Sequence, residues 1–230
     1  MNRQTFFWLA VVLFIASCKP PAKMTRAKAY GGMYAEKPAT VLIMPPINKS
    51  TNIDAKDYFH STLNIPLANE GYYVIPPFLS MEILKKESAY DAELFLNEPV
   101  NKFGEVFGAD MVLFTIIHRW DKTLLPIAHI TVQIEYIIKS TKTNQVLYTR
   151  KAKVKYPTGV NTGLGGGLGL IANLTLTAIN TATTTFVDVA RQSNNITFLD
   201  MPRGKYSKNN LKDSSVTAGK KEFSYTIKQN

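Results

Sequence analysis

Ala128-His129-Ile130-Thr131-Val132-Gln133-Ile134-Glu135-Tyr136-Ile137-Ile138 sets Ala128, Ile130, Val132, Ile134, Tyr136 and Ile138 against His129, Thr131, Gln133 and Glu135 in strict alternation. Side chains of a strand point to opposite faces with a period of two, so the pattern specifies a strand with one buried and one wet face. Thr141-Lys142-Thr143-Asn144 reads as a turn. Beyond it Val146, Tyr148, Ala152 and Val154 alternate with Lys151, Lys153 and Lys155, and the two strands form a long antiparallel hairpin.

Upstream the pattern differs. Ala39-Thr40-Val41-Leu42-Ile43-Met44 and Met111 to Ile117 are nearly continuous apolar runs, as strands buried on both faces should be. Pro45-Pro46 ends the first. A helix is expected from Asp54 to Ala68, disturbed at Pro66 and stopped by Gly71. Tyr72-Tyr73-Val74-Ile75 is a further strand, followed by a helix capped by Ser80 and another over Val100 to Phe107 ended by Gly108. Strand-helix-strand-helix-helix-strand implies parallel strands joined by right-handed crossovers. The expected fold is α/β: a single mixed sheet, parallel strands extended by an antiparallel hairpin, with helices mainly on one side. The domain spans 39–196.

The amino terminus carries a second message. Arg3 precedes an apolar run, Phe6 to Ile15, that is shorter than the ~20 residues of a spanning helix but suits a secretory signal. It ends in Ile15-Ala16-Ser17-Cys18, an aliphatic residue, two small residues and the chain's one cysteine. This is a lipobox: residues 1–17 are the signal peptide, and Cys18 takes the lipid and anchors the chain to a membrane. A lone thiol forms no internal disulfide, and acylation removes its liability in an oxidising compartment. Lys19 follows the cysteine where an Asp would favour inner-membrane retention, so the outer membrane is the expected location. No acidic cluster follows to direct export to the cell surface, so the periplasmic face is expected. Residues 18–38, with Pro20-Pro21, Gly31-Gly32 and Pro38, read as a tether.

The formal net charge is +10. For an exported protein, nucleic acid is not an expected partner; anionic lipid, the wall or acidic envelope proteins are. Much of the charge lies near the anchor and in residues 197–230, which read as a basic, partly disordered tail.

No charged residue occurs between Lys155 and Asp188. This stretch opens with Gly163-Leu164-Gly165-Gly166-Gly167-Leu168-Gly169, read as a mobile loop, and continues as a helix from about Leu170 to Gln192. Two readings stand: a helix packed on the sheet, or a surface for self-association or membrane contact. Gly163, Leu164, Gly165, Gly166, Gly167, Leu168 and Gly169 are the candidate self-association residues, with a homodimer the expected assembly.

Catalytic signals are weak. His60, His118 and His129 have no metal-helix spacing. His129 and Glu135 share a strand face but stand roughly 20 Å apart along it. Gly167-Leu168-Gly169-Leu170-Ile171-Ala172 fits a loose dinucleotide pattern, yet it follows a hairpin and no strand comes after it. No catalytic residue, cofactor or metal is expected.

Val41-Leu42-Ile43-Met44-Pro45-Pro46-Ile47-Asn48-Lys49-Ser50, Glu70-Gly71-Tyr72-Tyr73-Val74-Ile75-Pro76, Phe107-Gly108-Ala109-Asp110 and Leu199-Asp200-Met201-Pro202-Arg203-Gly204 form a series. It resembles a family of bacterial outer-membrane lipoproteins of unknown function that includes a meningococcal lipoprotein antigen. That family is similar in fold to the amino-terminal domain of the translocation protein TolB and to the periplasmic domain of the curli-secretion channel lipoprotein. The resemblance brings no catalytic residues. It implies a non-enzymatic accessory or assembly factor binding other envelope proteins, with a secretion-channel lipoprotein as one candidate partner. Two rivals are an oligomeric subunit inserting its glycine-rich segment in the membrane and an enzyme acting on wall or lipid. Lys151, Lys153 and Lys155 argue against a membrane barrel, whose outer face must be apolar.

Overall fold

A computed structural model describes residues 23–124, 128–158 and 186–228. Cys18 with its signal peptide and Gly163 to Gly169 lie outside the described residues.

The strands are β1 (Thr40–Ile43), β2 (Ile47–Asn48), β3 (Tyr73–Val74), β4 (Met111–Thr123), β5 (His129–Ser140), β6 (Val146–Pro157) and β7 (Glu222–Thr226). They form one mixed sheet of order β3-β1-β4-β5-β6-β7, with β2 also on β4. β3, β1, β2 and β4 run parallel; β4, β5 and β6 run antiparallel; β7 returns parallel to β6. The helices are α1 (Arg26–Ala29), α2 (Gly31–Glu36), α3 (Ala55–Thr62), α4 (Asn64–Asn69), α5 (Pro77–Lys86), α6 (Asn101–Phe107) and α7 (Phe186–Phe198), with a 3-10 turn at Ala92–Phe95.

Two apolar cores flank the sheet. On one face Val41, Ile43, Leu113, Val132, Ile134 and Val154 meet Tyr30 and Met33, Phe59, Leu67, and Val189 and Phe198. On the other, Leu42, Met44, Val112 and Phe114 meet Leu84 of α5, Ala92 of the turn and Phe103 of α6. Among the described residues five helices pack on the first face and two on the second, so the bias to one side holds while the parallel half is covered on both.

Several local expectations need correction. Pro45-Pro46 interrupts the first strand without ending its pairing. The prolines offer no N–H, but the Met44 amide still donates to the Leu113 carbonyl at 3.0 Å, and β2 rejoins β4 at Ile47↔Ile116. The helix expected over Asp54 to Ala68 is two, α3 and α4, divided at Leu63. Ser80 does not cap α5: the helix starts at Pro77, and the Ser80 hydroxyl donates back to the Pro77 carbonyl at 3.2 Å. The last helix runs on to Phe198, past Gln192, and within it Ser193 and Thr197 turn their hydroxyls onto the Val189 and Ser193 carbonyls at 2.7 Å each.

Both ends are more ordered than their composition suggested. The stretch read as a tether contains α1 and α2, with Tyr30 and Met33 in the core. The stretch read as a tail supplies Met201 to the core and β7 to the sheet edge.

Candidate functional site

Three places bring polar chemistry together. The first is a buried ionic clamp joining the two chain ends to the sheet. Arg26 donates to Asp213 at 2.9 Å and to the Leu199 carbonyl at 2.8 Å, and its Nε lies 3.5 Å from Asp200. Asp200 accepts from Tyr30 at 2.5 Å and from the Gly219 amide at 2.9 Å, with Arg150 at 3.9 Å. Asp213 also accepts from Tyr34 at 3.1 Å and from the Arg203 amide at 3.0 Å. The Tyr30 hydroxyl is pushed well above its usual range by burial and by its bond to Asp200. Asp200 and Asp213 are each held by several donors, and through them the clamp ties the two chain ends to the sheet.

The clamp also explains two segments of the quoted series. Gly71 has φ of +93°, and a Cβ on Gly204 would collide with the Gly71 carbonyl oxygen. The Gly204 amide donates to the Glu70 carbonyl at 2.8 Å, the Tyr206 amide to the Gly71 carbonyl at 2.9 Å, and the Tyr72 hydroxyl to the Pro202 carbonyl at 2.6 Å. Arg203 pairs with Glu70, whose carboxyl is raised by burial despite that cation. Glu70-Gly71-Tyr72 and Pro202-Arg203-Gly204 are thus one contact, and both glycines are needed for backbones to approach this closely.

The second place is the outer face of the antiparallel half. Lys151, Lys153 and Lys155 on β6 lie beside Glu135, Gln133 and Thr131 on β5 and beside Glu222, Ser224 and Thr226 on β7. Lys153 and Lys155 are exposed, and none of the three lysines belongs to a salt bridge among the described residues. No described helix packs here. At one border His118 sits where the register of β4 on β5 slips, between Ile117 and Arg119, and its Nε2 lies 2.8 Å from Glu135. Glu135 therefore meets His118 across the strands, and not His129; a bulge is invisible to a period-two reading.

The third place is a crevice of about 510 Å³ at the carboxyl ends of β1 and β3, lined from β1–β2 (Pro45, Asn48), α3 (Lys56, Asp57, His60), α5 (Lys85) and the turn after it (Tyr90, Asp91, Glu93). Helical spacing puts Lys56, Asp57 and His60 on one face of α3. Asn48 fixes the rim: its amide donates to the Asn52 carbonyl at 2.7 Å and its carbonyl oxygen accepts the Ser50 hydroxyl at 2.7 Å. Lys49 bridges to Glu93 at 3.3 Å. His60 Nε2 is buried without a hydrogen-bond partner, and burial lowers the imidazole's affinity for a proton. No spacing in the sequence marks His60; only the crossing of chain segments brings it to this crevice.

Among the described residues no cluster of three or more His, Cys, Asp or Glu side chains is arranged to hold a metal, and no helix is long and apolar enough to cross a membrane.

Comparison with known proteins agrees with the series of segments above. A relative named as a putative lipoprotein in Neisseria meningitidis serogroup B is 23% identical over 172 residues, 74% of this chain and 78% of that protein. The crystal structure of lipoprotein GNA1162 from Neisseria meningitidis matches over 64% of this chain and 100% of that one, at 20% identity and a TM-score of 0.49. A hypothetical protein, CT253 from Chlamydia trachomatis, matches over 70% and 98% at 11% identity and a TM-score of 0.42. The family described as "Putative lipoprotein GNA1162-like" matches residues 28–210, from α1 through the Arg203–Gly204 contact and short of β7. The chain belongs to the GNA1162-like lipoprotein family.

Proposed function

We propose that this protein is a non-enzymatic accessory or assembly lipoprotein, lipidated at Cys18, held at the periplasmic face of the outer membrane, and docking an acidic surface of another envelope protein. The observation that carries this reading is the lysine-lined face of β6, which no described helix covers, on a sheet whose other faces are packed by helices. A row of cations on a rigid strand steers and orients an acidic partner more than it stabilises the fold. The anchor supports the same reading. Thr25 already pairs with Thr217, and Arg26 is in the clamp. The stretch from Cys18 to Thr25 reaches at most about 25 Å, so the body stays close to its bilayer and so must its partner.

The test is site-specific crosslinking from the outer face of β5 and β6 in intact envelopes, with the full chain and with the Lys153→Glu, Lys155→Glu variant. A discrete, salt-sensitive crosslinked protein that disappears in the variant, at unchanged circular dichroism, supports docking. The same crosslinks in both proteins would overturn it. Cys18→Ala tests the anchor separately: the variant should lose lipid labelling and accumulate as uncleaved precursor.

A further inference from the structure

The crevice at the carboxyl ends of β1 and β3 arises from topology. The chain leaves β1 for α3 and α4, which pack on the face holding Val41 and Ile43. It leaves β3 for α5 and α6, which pack on the opposite face with Leu42 and Met44. β1 and β3 are adjacent and parallel, their onward helices lie on opposite sides of the sheet, and the crevice is lined from the β1–β2 segment, α3 and α5. Open α/β sheets bind small molecules outside the carboxyl ends of their strands. Its volume of about 510 Å³ falls in the ~300–1,000 Å³ range of small-ligand sites.

The lining specifies what fits. Lys56 and Lys85 bring positive charge, and Asp57, Asp91 and Glu93 bring negative charge. Glu93 is engaged by Lys49 at 3.3 Å and Lys85 by Glu82 at 3.6 Å, both as exposed pairs, so groups of both signs still face one space. A ligand of one sign would meet repulsion from one of these sets, and an apolar ligand would leave them desolvated and unpaired. A molecule with separated ammonium and carboxylate groups satisfies both. His60, on the lining, adds a buried nitrogen with no hydrogen-bond partner, which is costly to leave unmade. Pro45 and Met81 give an apolar wall for a small side chain.

We infer that this crevice is a binding site for a small zwitterion, an amino acid or short peptide with free termini, its carboxylate toward Lys56 and Lys85 and its ammonium toward Asp57 and Asp91. The site is independent of the β6 lysines, on a different part of the sheet, so neither proposal depends on the other.

The test uses the full chain in detergent micelles and dialanine as the probe, in L,L and D,D forms, read by amide chemical shifts and calorimetry. At least one isomer should saturate, with a dissociation constant below about 1 mM, and shift amides of α3 and of residues 90–93. The same dipeptide acetylated at its amine and amidated at its carboxyl should bind at least about tenfold more weakly. Lys85→Met, at an exposed position on α5, should weaken binding by a similar factor without unfolding the protein; His60→Gln provides a second variant inside the crevice. No saturation by either isomer up to about 10 mM overturns the proposal. So does equal binding of the doubly blocked dipeptide, or binding unchanged in both variants.

Discussion

The two halves of this sheet obey different rules although they share β4. In the parallel half, β1 and the first part of β4 are covered on both faces, and Leu42, Ile43, Val112 and Leu113 are all fully buried. In the antiparallel half, Ile134 and Ala152 are fully buried, while Glu135 and Lys151 beside them carry charge on the other side. The difference follows from the connections. Parallel neighbours need crossovers, and crossovers here bring helices to both faces; hairpin neighbours need only a turn, so nothing in the connection covers the second face. The half with two covers is the scaffold that forms the crevice, and the half with one cover among the described residues carries charge on its other face.

This contrast predicts unequal tolerance of side-chain removal. Phe114→Ala, on the second face of the parallel half, empties a fully buried site and should cost about 3–5 kcal/mol in chemical denaturation. Lys153→Ala, on the corresponding face of the antiparallel half, should change stability by no more than about 0.5 kcal/mol. If Lys153→Ala destabilises as strongly as Phe114→Ala, the outer face of β6 is a covered core face and the comparison breaks.

The covered face of the antiparallel half has its own dependence, on charge. Arg26 and Asp200 have side chains only 10% and 8% exposed. Asp200→Ala would leave Arg26 and Arg150 buried without this anion, a change expected to cost about 3 kcal/mol or more. Arg26 also holds buried Asp213 at 2.9 Å, so the double variant Asp200→Ala, Arg26→Met orphans a second carboxylate and should be less stable than Asp200→Ala alone. If Arg26→Met costs the same in the wild type and in the Asp200→Ala background, Arg26 and Asp200 are not coupled.

Much of the sheet was legible because burial on one or two faces writes itself as alternation or as an apolar run. The hairpin of β5 and β6 follows its alternation from Ile130 to Val154, and Gly108 closes α6 with φ of +65°. The family series was legible too, though not what it does: Gly71 and Gly204 meet across more than a hundred residues, and no local rule pairs them. The chain ends were misread for a related reason. Arg26, Asp200 and Asp213 have the composition of solvated loops, and they are buried only because each finds its partner in a distant segment. α7 hides its burial the same way, with Asn194 fully buried and bonded to Thr62 at 2.8 Å and to Tyr136. The crevice was not legible at all, since Lys56 and Asp57, Lys85 and Asp91 come together only through the order β3-β1-β4.

The parallel half should also carry a pH dependence of stability, through His60 in its crevice. Burial lowers the proton affinity of His60 below that of a free imidazole, against a smaller opposing pull from Asp57. In the unfolded chain the imidazole titrates near pH ~6.5. Between that value and the lower one of the folded state, the unfolded chain binds a proton that the folded chain does not, so stability rises with pH across this window and falls as the solution is acidified through it. Above about pH 7 the imidazole is neutral in both states and this contribution is flat. The measurement is urea denaturation of the wild type and His60→Gln across the same pH series, compared as a difference so that the carboxylates and the other histidines cancel. The difference should be constant above neutrality, with the wild type losing stability relative to the variant on acidification. A difference that stays constant down to pH ~5 would show that His60 is accessible to solvent protons in the folded protein. Its Nε2 would then not be the desolvated group that gives the crevice its polarity.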